Sequence, residues 1–150
     1  MKHQIFESDK ELKELFWDKY KQRQRPSKHQ FEVQINEDMI DLLVLEEVVE
    51  GQPKLNSFVF SMKDIPNAII RARNNLKYVN KSWIVIPIEK EKVINNRYLP
   101  YLNEWKKIGV IGLKKPNGFF KRFYSPEEHE FPELKDFALN SLEMVNHEED

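Results

Sequence analysis

Apolar residues recur along this chain with two periods, and their succession sketches the elements. Leu12, Leu15, Phe16 and Tyr20 fall on one face of a helix. Ser8-Asp9-Lys10-Glu11 before them reads as a capping box, with Ser8 at the N-cap and Glu11 at N3, and Pro26 closes the segment. Strict alternation follows in FEVQI, where Phe31, Val33 and Ile35 share a face opposite Glu32 and Gln34. NEDM (Asn36 to Met39) predicts a turn into a second strand, IDLLVLEEV. With a four-residue loop, Ile35 faces Ile40 and Gln34 faces Asp41, which puts Asp41 on the same side as Glu32.

EGQPKLN reads as a loop and SFVFSMK as a third strand. In the latter, Phe58, Phe60 and Met62 take one face and Ser57, Val59, Ser61 and Lys63 the other. A second helix begins at Pro66 and carries Ile65, Ala68, Ile69, Ala72, Leu76 and Val79. SWIVIPI (Ser82 to Ile88) predicts a buried fourth strand, and a third helix is expected over 99–107, ending before Gly109. VIGLK is a fifth strand, Pro116 to Gly118 turn into FFKRFY, and a last helix spans roughly 132–145. The order α-β-β-β-α-β-α-β predicts an α/β sandwich around a mixed sheet. A single domain over 1–150 is expected, with its core at about 8–114 and a C-terminal hairpin and helix over 115–150.

Composition narrows the chemistry. Of 150 residues, 40% are hydrophobic and 33% charged, the balance of a globular chain. The absence of cysteine removes disulfides, thiolate metal sites and thiol nucleophiles. No apolar run suffices to cross a bilayer, no leader is apparent at Met1, and a cytoplasmic location is expected. The net charge is −1, but KYKQRQRPSKH concentrates Lys19, Lys21, Arg23, Arg25 and Lys28 without an acid. This is either an anion-binding surface or a solvated helix end.

IDLLVLEE, FVFSMKDIPNAIIRARNNLKYVNKSWIVIP and KKIGVIGLK, in this order and spacing, resemble the PD-(D/E)XK nuclease-like superfamily, whose fold is restriction-endonuclease-like. The resemblance covers about Phe31 to Lys114. It implies an acid on the second strand at Asp41, a second acid at the position of Ser61, and the water-poising lysine at Lys63. In active members the acids bind Mg2+, a hard cation that stabilises phosphoryl charge and activates water. Serine at position 61 departs from the pattern and removes one ligand charge, so the active site is degenerate.

Glu32 is the best substitute metal ligand, diagonal to Asp41 by about 7–8 Å on neighbouring strands. Glu11 is better explained as a cap, and Glu47 lies too far along the strand. Asn67 and Arg71, on the second helix, would contact phosphate if its first turns border the Asp41–Lys63 cleft and are otherwise a solvated helix face, and Lys19, Lys21, Arg23, Arg25 and Lys28 would clamp a nucleic-acid backbone.

Two functions follow from the resemblance. One is a Mg2+-dependent nuclease acting on nucleic acid, DNA being favoured over RNA. The other is a catalytically inactive nuclease-fold module that serves as a binding or assembly subunit. Equally, Asp41 can be a strand-end acid and Lys63 an ordinary residue at a strand exit. A Ser61–Lys63 nucleophile lacks the exposed turn such serines occupy, and the four histidines lack zinc spacing. Trp105, Phe119 and Phe123 mark either a homodimer or protein-partner surface, or core.

Overall fold

Six strands form one sheet in chain order, β1 (Lys28–Ile35), β2 (Asp38–Val49), β3 (Gln52–Phe60), β4 (Lys81–Pro87), β5 (Ile108–Lys114) and β6 (Phe119–Tyr124). The computed structural model describes residues 5–24, 26–49, 52–104 and 107–149. β1, β2 and β3 form an antiparallel meander, β4 and β5 run parallel to β3, and β6 returns antiparallel to β5. The helices are α1 (Asp9–Gln24), α2 (Ile65–Asn75), the single turn α3 (Glu91–Val93), α4 (Leu99–Glu104) and α5 (Lys135–Glu149). The protein is therefore an α/β fold with a mixed sheet flanked by helices.

The parallel centre explains the apolar run of β4, because strands covered on both faces need no polar alternation. On one face, Leu12, Phe16 and Tyr20 of α1 pack against Leu42, Val44, Phe58, Phe60, Val85 and Leu113. On the other, Ile65, Ala68 and Ala72 of α2 and Leu76 at its C-cap pack against Val59, Ile84, Ile86 and Val110. Ala68 and Ala72 keep α2 close to the sheet. Beneath it the buried Ser82 hydroxyl donates to the Ala72 carbonyl (2.6 Å) and accepts from Ser57 (3.1 Å). Ala138 and Leu142 of α5 join Val33, Ile35, Ile40, Leu43 and Tyr78 in a third cluster.

Several boundaries differ from the sequence expectation. The β1–β2 loop is a two-residue turn, with Ile35 opposite Asp38 and Val33 opposite Ile40. Asn36 adopts φ +56°, a conformation its short amide tolerates and such turns require. The expected loop EGQPKLN contributes Gln52 to Asn56 to β3. At its other end β3 stops at Phe60, and Ser61, Met62 and Lys63 turn into α2. α2 ends at Asn75, so Val79 packs in the core from outside the helix.

The third helical region starts early, as a continuous run from Ile88 through α3 and a π turn at Ile94–Tyr98 to Glu104. The last helix begins at Lys135, after Pro132. Arg25 and Trp105 lie outside the described residues, as do the side chains of Glu47 and Val145. Phe119 is exposed, whereas Phe123 packs over Gly112 and joins the core beneath α2.

Candidate functional site

The turn after β3 is built by its own polar side chains. Ser61 Oγ accepts from the Asp64 N–H (3.1 Å), and Asp64 Oδ1 caps α2 by accepting from the Asn67 N–H (3.2 Å). Pro66 in the first helical turn leaves no orphan donor there. Asp9, at the start of α1, accepts from the Met62 N–H (2.9 Å) and ties that helix to the same turn. Ser8 caps α1 as its spacing predicts, its hydroxyl accepting from the Glu11 N–H at 3.1 Å. Glu11 in turn pairs with Lys115 at 2.7 Å.

Beside this turn lies a cleft of roughly 190 Å3 lined by Asp9, Lys10, Lys13, Glu32, Asp41, Phe60 and Arg71. Arg71 reaches down from the second turn of α2 and donates to Asp41 Oδ1, while Oδ2 accepts from the Phe60 N–H at 3.0 Å. The Asp41 side chain retains 13% of its exposure. That burial raises its carboxyl above the ordinary range, against the opposing pull of the Phe60 N–H and the Arg71 guanidinium; Glu32 adds to the rise. The two-residue turn sets Glu32 directly across from Asp41 rather than on a diagonal, since their flanking pairs are Val33–Ile40 and Phe31–Leu42. Glu32 adopts φ +53° and pairs with Lys13 of α1.

The structure thus brings together Asp41, Glu32 and Arg71, and leaves Ser61 and Lys63 outside the residues that line the cleft. Ser61 is buried and holds the turn. Lys63 is exposed in the bend, because the strand that was to aim it stops three residues earlier. Asn67 is exposed at the first turn of α2. The basic segment divides between two elements. Lys19 lies over Gly118, Lys21 sits 3.9 Å from Asp18, Arg23 lies over the Phe120 ring, and Lys28 opens β1.

Asp9, Lys10 and Lys13 carried no signal as site residues, because α1 touches the turn after β3 only through tertiary packing. The spacing of acids and amphipathic faces does not encode such a contact.

A Mg2+ ion needs several hard oxygens free to face it. Here Asp41 is held by a guanidinium and an amide, Glu32 by an ammonium and Asp9 by an amide. Among the described residues no three His, Cys, Asp or Glu side chains are grouped to hold a metal ion. The donor set does not fit the ion.

No family model matches the chain, and no curated protein matches it. A solved structure, the SPO1766 protein of unknown function from Silicibacter pomeroyi, is similar to it, with a TM-score of 0.54 and 10% sequence identity. The match covers 81% of this chain and 75% of that one. The two chains share a fold.

Proposed function

We propose that the protein is a restriction-endonuclease-like module that binds nucleic acid without cutting it. The topology supports the scaffold. A helix, an antiparallel three-strand meander, a second helix and a strand parallel to the third follow in the order that the resemblance implies. The observation that carries the non-hydrolytic reading is the Asp41–Arg71 pair. Arg71 takes the carboxylate oxygen that a metal would use, and Ser61 spends its hydroxyl on the turn. Binding is supported by Arg23, in the basic last turn of α1, which lines one concavity with Lys81 of β4 and Arg122 of β6. Such a cluster neutralises phosphates and releases counterions.

The test incubates the protein with single- and double-stranded DNA and RNA, in Mg2+, in Mn2+ and in chelator. No cleavage is expected under any condition. Retardation of a labelled strand should weaken steeply with added salt. Metal-dependent cleavage that disappears in Asp41→Asn and Lys63→Ala overturns the reading.

A further inference from the structure

A second concavity, of about 560 Å3, opens between the C-terminal end of α1 and the strands β3, β4 and β6. Its volume lies in the range of small-molecule sites. Three cations line it, Arg23 of α1, Lys81 of β4 and Arg122 of β6, against one carboxylate, Glu46 of β2. None of the three cations is in an ion pair among the described residues.

Aromatic rings hold the two guanidiniums in place. Arg23 lies 5.3 Å from the centroid of Phe120, and Arg122 lies 5.8 Å from that of Trp83. Trp83 in turn stacks on Phe58 at 6.3 Å with an interplanar angle of 11°. Its neighbour in register is Gly109, where an added Cβ would stand 2.5 Å from the indole ring, so the absence of a side chain makes room for the tryptophan. Alternation along β6 sets Arg122, with Phe120, on the α1 face, where it reaches Trp83, and turns Phe123 to the core under α2.

The floor of the pocket is polar and directional. The Trp83 indole N–H donates to Asn56 Oδ1 at 3.4 Å, and the Asn56 amide donates to Glu46 Oε1. Asn56 is 2% exposed, so this relay fixes Glu46 from beneath. Glu46 Oε2 has no partner among the described residues. A carboxylate held this way, among three unneutralised cations, suits a ligand that carries both a phosphate and vicinal hydroxyls.

We infer that this pocket binds a ribonucleotide, with its phosphate on Arg23, Lys81 and Arg122 and its ribose hydroxyls donating to Glu46. The inference rests on the nucleic-acid-binding reading only for where the ligand comes from. A free nucleotide and a unit of an RNA strand present the same chemistry.

Isothermal titration with AMP, 2′-deoxy-AMP, inorganic phosphate and single-stranded RNA and DNA oligomers tests it. AMP or the RNA oligomer should bind saturably, and more tightly than its deoxy counterpart. Arg122→Gln should weaken binding about tenfold and the Arg23→Gln/Arg122→Gln pair about a hundredfold, each losing a charge-assisted contact. Glu46→Gln should abolish the preference for ribose. Arg122 is exposed on β6, and a circular dichroism melt that matches the wild type would establish that these variants fold. AMP binding without RNA binding identifies a free nucleotide as the ligand, and the converse identifies the strand.

Equal affinity for ribose and deoxyribose, or indifference to Arg122→Gln, overturns the inference while leaving strand binding elsewhere intact. Absence of saturable binding by every probe overturns both readings.

Discussion

The cleft at Asp41 and the pocket at Trp83 are both polar concavities beside α1, yet they treat charge in opposite ways. In the cleft, Asp9, Glu32 and Asp41 face Lys10, Lys13 and Arg71, so three carboxylates meet three cations and the formal sum is zero. Contacts close within the site: Arg71 on Asp41, Lys13 on Glu32, and the Phe60 and Met62 amides on Asp41 and Asp9. In the pocket, three cations face one carboxylate, a formal excess of +2, and the two guanidiniums rest on rings rather than on acids. A site whose charges already satisfy one another is part of the architecture. A site whose charges are positioned but unneutralised has capacity left for a ligand.

The comparison is broken most severely by removing Arg71. Arg71→Ala leaves a mostly buried carboxylate without its counter-ion, and we expect a loss of about 2–4 kcal/mol in denaturant unfolding, tempered by the partial exposure of the pair. The Asp41 carboxyl, already raised, should rise further, which a carboxyl-carbon NMR titration reads directly. The double variant Arg71→Ala/Asp41→Asn should recover part of the loss, by about 1–3 kcal/mol of coupling.

Gly109→Ala should cost about 1–3 kcal/mol, because the new methyl meets the Trp83 ring. Trp83 fluorescence should shift with it, and affinity at the pocket should fall in parallel.

A smaller effect appears against pH. Because the folded-state pKa of Asp41 lies above its unfolded value, its ionisation opposes folding. That penalty is absent below the unfolded carboxylate value of about 3.9 and complete above the raised folded value. The stability of the wild type relative to Asp41→Asn should therefore decline as pH rises through this window, seen in paired urea titrations. Lys63→Ala, at an exposed bend, should change stability by no more than about 0.5 kcal/mol and leave strand binding unaltered.

Local pattern made much of this molecule readable. The Ser8 cap, the apolar stripe of α1 and the unbroken apolar run of β4 each state their element in a few neighbouring residues, and all are present. The shared side of Glu32 and Asp41 was legible for the same reason, since alternation survives a change of loop length that preserves parity.

The failures lie where a side chain overrides a period. Alternation would have carried β3 through Lys63, but Ser61 and Asp64 turn the backbone by hydrogen bonds that a hydrophobic pattern does not register. Arg71 was visible as a cation on the polar side of α2, whereas its engagement with Asp41 depends on how α2 crosses the end of β3. Of the residues around the pocket at Trp83, local pattern marked Arg23 alone, within the basic segment. It gathers residues from α1, β2, β3, β4, β5 and β6, and only the sheet order places Arg23 beside Arg122.

The most direct test of the closed cleft is calorimetric titration of the wild type and of Arg71→Ala with Mg2+ and Mn2+. We predict no saturable heat from the wild type, because each carboxylate of the cleft already has a partner. Stoichiometric binding of either ion by the wild type, abolished by Asp41→Asn, would contradict the account and restore the metal-dependent nuclease.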